Sequence, residues 1–298
     1  MTRSLSVGCV FAALAAVVCT SARTALLLMA LTALTTLFTL TLRSLLLWLR
    51  LPLTSVLTVL FATAVGGAVY WCLLAYLDGE ILGSAPLVLT LCALCGAVEE
   101  SSLSASALFR LCAALLVLGA ARECLATATL FQYPLPFSAM GTAFGKTPSG
   151  EIGIGGILLA AIVLWGFRFH SPVGAVSLPF DTIWPLGLLT TAVCVLSQVL
   201  PIPSSVWRFW LCLLITAIVW SFSPTPPTAW LIPVPALAAS LLGVGRPLWY
   251  AVVVAAAVVA STLAANAVSV RLSHSPQRTT VSSLLCSVAV ALAALKSI

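Results

Sequence analysis

Uncharged stretches constrain this chain more than any other feature. Residues 4–22, 24–42, 51–77, 81–98, 182–207 and 247–270 contain no Asp, Glu, Lys or Arg. A helix needs about 20 apolar residues to cross a bilayer core of ~30 Å, and several of these runs reach that length. Charged residues make up 7% of the 298 positions, against roughly 25% in soluble proteins. The hydrophobic fraction is 62%, too much for one globular core to hide. The expected fold is therefore an all-α, polytopic membrane protein of about 11 transmembrane helices.

The net charge of +6 raises the question of nucleic acid, but no basic cluster exists to build such a site. Single arginines at run ends fit lipid headgroups instead. Trp48, Trp71, Trp165, Trp184, Trp207, Trp230 and Trp249 lie at or near run ends, as interfacial tryptophans do. Met1-Thr2-Arg3 and the apolar stretch up to Cys19 imitate a secretory signal. Val18 is a poor lipoprotein signal residue, and the stretch is read as a retained first span. The ten cysteines all sit in or beside apolar runs, where most serve as small buried residues.

Run lengths and breakers place spans near 5–21, 24–42, 53–77, 81–98, 103–121, 152–167, 182–200, 207–222, 228–243, 248–270 and 280–296. The stretch 122–151 reads as the longest polar connection, with Pro134, Pro136, Pro148, Gly141, Gly145 and Gly150. A second break, Arg168 to Asp181, separates two halves of similar layout, 1–170 and 171–298. Each half has a Pro-initiated span (Leu51-Pro52-Leu53, Pro201-Ile202-Pro203) and a short span ending at glycine (Gly96, Gly243). In each, a long apolar helix closed by arginine (Arg122, Arg271) follows. Two related halves with broken helices recur among membrane transport proteins.

Three places could carry chemistry. Thr90-Leu91-Cys92-Ala93-Leu94-Cys95-Gly96-Ala97-Val98-Glu99 is a short, glycine-broken span ending in carboxylates. Such spans hold sites in membrane proteins, although Cys92 and Cys95 read equally as packing residues. Val7-Gly8-Cys9 again sets glycine beside cysteine. Arg110 lies mid-run, where an arginine is costly unless paired. Glu99 is a candidate ion-pair partner, and snorkelling to an interface is the alternative. Neither His170 nor His274 has a carboxylate or serine motif nearby, and no P-loop, dinucleotide glycine motif or zinc spacing is present. Transport, electron transfer and scaffolding remain.

In order, these features resemble the six-span membrane subunits of Rnf-type ferredoxin:NAD oxidoreductases and of the sodium-pumping NADH:quinone reductase. The family's Leu-Gly-x-Cys reads here as Val7-Gly8-Cys9. Its Thr-Asn-Cys-x-x-x-Gly-x-x-Glu reads as Thr90-Leu91-Cys92 through Gly96 and Glu99. Its Leu-Gly-x-x-Arg-Glu, followed by Thr-Leu-Phe, reads as Leu118-Gly119-Ala120-Ala121-Arg122-Glu123 and Thr129-Leu130-Phe131. Residues 1–170 resemble the RnfE/NqrD branch. Residues 171–298 resemble a degenerate RnfA/NqrE partner lacking its first span, with Leu178-Pro179-Phe180 and Ala239 where cysteines belong. The missing span makes the two halves run inverted.

The resemblance implies a multi-pass subunit of the bacterial inner (cytoplasmic) membrane, acting with other Rnf-type membrane and flavin-bearing subunits rather than as an enzyme alone. It implies that Cys9 and Cys92 ligate a [2Fe–2S] cluster relaying electrons, coupled to ion movement. Such a cluster needs four thiolates, so Cys95 and Cys19 complete the shell, another chain does, or the cluster is lost. Arg43/Arg50 and Arg271/Arg278 favour a cytoplasmic N-terminus. The competing readings are an inverted-repeat secondary transporter and a structural subunit without the cluster. Alkaline carbonate washing is expected to leave the protein in the membrane fraction. Its release into the supernatant would contradict the membrane assignment on which every reading rests.

Overall fold

A computed structural model describes residues 14–50, 54–76, 85–97, 105–131, 133–141, 144, 154–166, 180–200, 202, 204–222, 231–242, 249–250, 252–254 and 256. After a helical turn at 14–18 come α1 (Ala22–Trp48), α2 (Thr54–Tyr76), α3 (Ala85–Ala97) and α4 (Ala105–Thr127). A small antiparallel hairpin follows, β1 (Thr129–Leu130) with β2 (Tyr133–Pro134), in the register Thr129 to Pro134 and Leu130 to Tyr133. The remaining elements are α5 (Ile154–Gly166), α6 (Phe180–Val199), α7 (Ser205–Ser221) and α8 (Pro233–Leu241).

Ala22–Trp48 and Ser55–Leu73 are long and apolar enough to cross a membrane. At 1.5 Å per residue, α1 extends about 40 Å. Its start is fixed locally: the Ser21 hydroxyl accepts from the Thr24 N–H at 3.1 Å, and the Thr24 hydroxyl accepts from the Ser21 N–H at 2.7 Å. That reciprocal pair is a capping box. Inside the helices, buried threonines stay satisfied without a partner helix. Thr35, Thr63, Thr90, Thr190 and Thr216 each donate a hydroxyl to the carbonyl four residues back.

The centre is α3. Pro86 and every residue from Val88 to Gly96 are buried, and α3 packs against α1, α2, α7 and α8. Thirteen residues give only about 20 Å, so this helix is surrounded rather than exposed along its length. Small residues permit the approach. A Cβ on Gly96 would lie 2.5 Å from the Thr58 carbonyl oxygen and 2.7 Å from Val59 Cα, so α2 and α3 meet backbone to backbone. Gly67 of α2 similarly receives Leu89, whose Cδ2 would stand 3.2 Å from an added Cβ.

A second group, α6, α7 and α8, packs within itself and joins the first through α8 and α7 on α3 and α7 on α2. Helix α8 starts with Pro233 at its first position, where a missing N–H costs no hydrogen bond. Its Ala236, Leu237, Ala238 and Ala239 are all buried. Thus two short helices, α3 and α8, touch in the interior.

Expected spans and observed helices agree closely for 53–77, 81–98, 182–200 and 207–222. Two differ. Helix α1 passes through Arg43 to Trp48, beyond the expected end at 42. Helix α4 continues to Thr127, whereas 122–151 was expected to be a connection. The reason is that Arg122 and Glu123 are buried against other chain segments and so need no water. Of the expected last spans, 280–296 lies outside the described residues, and the eleven-span count goes beyond what they establish.

Substituting Gly96→Ala should force α2 and α3 apart and cost about 1–3 kcal/mol. Thermal unfolding in detergent checks this; an unchanged melting temperature would contradict the backbone-to-backbone packing.

Candidate functional site

Cys92 and Cys95 stand three residues apart on α3 and therefore share a face. Both are buried, at 1% and 5% exposure. Cys92 fills the slot left by Gly66 on α2: a Cβ there would collide with its Sγ, and would lie 3.2 Å from Thr35 Oγ1 on α1. The neighbouring hydroxyls on α1 are those of Thr35 for Cys92 and Thr36 for Cys95. The thiols thus sit where α1, α2 and α3 meet.

A [2Fe–2S] cluster takes four thiolates, twice the number this pair could offer. Among the described residues no group of three or more His, Cys, Asp or Glu comes together, and Cys92 packs on a helix backbone rather than on open space. The described residues alone do not fit a complete cluster. Cys9 lies outside the described residues. Cys19, the other candidate substitute, is buried elsewhere and donates its thiol to the Leu115 carbonyl at 3.2 Å.

The second site is a clamp that the motif Leu118-Gly119-Ala120-Ala121-Arg122-Glu123 builds. Arg122, 2% exposed, donates from Nη1 to the carbonyls of Ala16 (2.5 Å) and Cys19 (2.6 Å), and from Nη2 to that of Gly156 on α5 (2.7 Å). Glu123 Oε2 accepts from the Ala22 N–H at 3.0 Å. The helical path breaks between 18 and 22, leaving carbonyls at one end and N–H groups at the other. A cation meets the first and an anion the second, which is also the arrangement the helix dipoles favour. Gly119 completes it, since an added Cβ would stand 2.8 Å from the Ser21 carbonyl carbon. Spacing of three and four places these residues on one face of α4.

Arg110 is exposed on α4, and its expected partner Glu99 lies outside the described residues. Sequence reasoning missed a second buried arginine, Arg208 on α7, which is 4% exposed. The signal for Arg208 was available: it is a lone cation at the head of an otherwise uncharged apolar run.

Compared with models of known families, with curated proteins and with solved structures, the chain matches none.

Arg122→Met should leave three carbonyls unpaired and cost about 3–5 kcal/mol, as removing one side of a buried polar network does. Glu123→Gln keeps an acceptor for Ala22 and should cost only about 1 kcal/mol. Thermal melting of the purified variants decides; a wild-type melting temperature for Arg122→Met would remove the clamp from the account.

Proposed function

We propose that the chain is a polytopic membrane subunit of an Rnf-type ion-translocating electron-transport complex. It would lie in a bacterial cytoplasmic membrane with its two related halves, 1–170 and 171–298, inverted relative to each other. The observation that supports this reading is that two of the motifs are built into the buried packing of the described residues. Gly119, Arg122 and Glu123 hold the chain between residues 16 and 22 against α4. Cys92 meanwhile lies at the meeting of three helices. These are two of the motifs on which the resemblance rests, each buried at its own place in the fold.

In this reading Cys9 and Cys92 ligate a [2Fe–2S] cluster, with Cys95 or a partner chain for the remaining thiolates, since Cys19 is bonded elsewhere. When bound, the cluster would carry single electrons between flavin-bearing subunits and soluble donors of the ferredoxin or flavodoxin type. The chain's own part is to bury the thiols of Cys92 and Cys95 and exclude water from them: the helices packed around α3 do so.

A second reading is a secondary transporter built on inverted repeats. The contact between the short helices α3 and α8 in the interior favours it, because substrate sites lie where broken helices meet. Iron and acid-labile sulfide in the purified protein separate the two. The electron-transfer reading expects both, lost in Cys92→Ser and in Cys9→Ser, and retained in Cys212→Ser and Cys286→Ser. A Cys9/Cys92 double serine variant with full activity and unchanged iron would overturn it.

A further inference from the structure

We propose that the N-terminal end of α7 is a phosphate-binding site, with Arg208 as its anchor and a phospholipid headgroup as its ligand. The inference rests on the membrane part of the reading above and not on electron transfer.

The starting point is an unbalanced charge. Arg208 is 4% exposed, and its Nε and Nη1 are buried with no hydrogen-bond partner. Arg122 provides the contrast, because the other buried arginine spends both terminal nitrogens on carbonyls. Among the described residues no carboxylate couples to Arg208; the neighbouring titratable group is the thiol of Cys212, one turn along α7. A guanidinium taken out of water without an anion costs several kcal/mol. The missing anion must therefore come from outside these residues.

The surroundings indicate what it is. Arg208 belongs to the first turns of α7, whose cap residue Ser204 makes no side-chain capping bond. The N–H groups of Ser205, Val206 and Trp207 have no carbonyl one turn back within the helix, whereas the Arg208 N–H reaches the Ser204 carbonyl at 3.0 Å. Helical side chains as a rule lean back towards the N-terminus, a direction that would set the Arg208 guanidinium over that same turn. Free N–H groups and the positive end of the helix dipole form a receptor for an oxyanion. A guanidinium beside them adds a fork that spans two phosphate oxygens.

Trp207, next in sequence, is 69% exposed at the head of an apolar helix. Indole rings in that position lie at headgroup depth, where phosphate is the anion at hand. The Ser204 hydroxyl, unused in capping, supplies a further donor.

The test uses the full chain purified in detergent, with phosphatidylglycerol and inorganic phosphate as separate probes followed by native mass spectrometry and thermal unfolding. Phosphatidylglycerol should bind the wild type and raise its melting temperature. Arg208→Gln should weaken binding at least about tenfold, the equivalent of one charge-assisted hydrogen bond. Arg208→Met removes the unpaired charge and should stay folded, so it serves if the glutamine variant does not fold. Its melting temperature should no longer respond to lipid. Binding of inorganic phosphate with the same dependence on Arg208 would support the oxyanion site and assign it to a soluble ligand. If lipid stabilises Arg208→Met as much as wild type, or if neither probe binds, the proposal is wrong. Neither readout involves iron or electron transfer, so its failure is distinguishable from failure of the electron-transport reading.

Discussion

Three hydrogen bonds from one guanidinium hold the first part of this molecule together. Arg122 reaches the carbonyls of Ala16, Cys19 and Gly156, joining the chain before α1, helix α4 and helix α5. An isolated arginine at that depth would be strongly unfavourable, and so would carbonyls at a broken helix end. Each solves the other's problem. Glu123 does the same for the opposite end of the break by accepting from Ala22. Once this junction is fixed, the direction of α1 is fixed, and α2 and α3 pack against it.

Packing of the interior then depends on what is absent from side chains. Gly66 leaves room for the Cys92 thiol, Gly96 lets α3 reach the backbone of α2, and Gly119 lets the Ser21 carbonyl lie on α4. In an apolar solvent, helix association gains little from hydrophobic transfer, and close van der Waals approach supplies it instead. The buried threonines fit the same economy, returning their hydroxyls to their own helices. Large apolar side chains such as Leu37, Phe38 and Leu45 are left on the outer surface of α1.

The helices were legible in the sequence because uncharged runs bounded by proline and glycine have few other solutions. The spans 53–77 and 81–98 correspond to α2 and α3 within a few residues. Charge misled at two ends. Arg43 and Arg122 look like helix terminators on composition alone, yet α1 and α4 continue past them. Whether a cation faces water or a set of carbonyls depends on distant residues such as Gly156, and no local pattern encodes that. The candidate site was legible as motifs rather than as geometry. Cys92 was singled out for its neighbours in sequence, whereas the slot that receives it comes from Gly66, far away on α2. Arg208 was counted as one more interfacial cation, although its burial without a partner makes it the more informative of the two.

Amide hydrogen exchange across residues 14–25, followed in wild type and in Arg122→Met, tests the clamp most directly. The amides of Thr20, Ser21 and Thr24 are bonded within the cap and that of Ala22 to Glu123, so their protection lasts only while the junction stays closed. Exchange there should be slow in wild type and at least about tenfold faster in the variant, while α3 stays protected in both. If the junction of the wild type already exchanges as fast as the exposed hairpin at 129–134, Arg122 and Glu123 do not hold the break closed, and the organisation described for the first five helices is wrong.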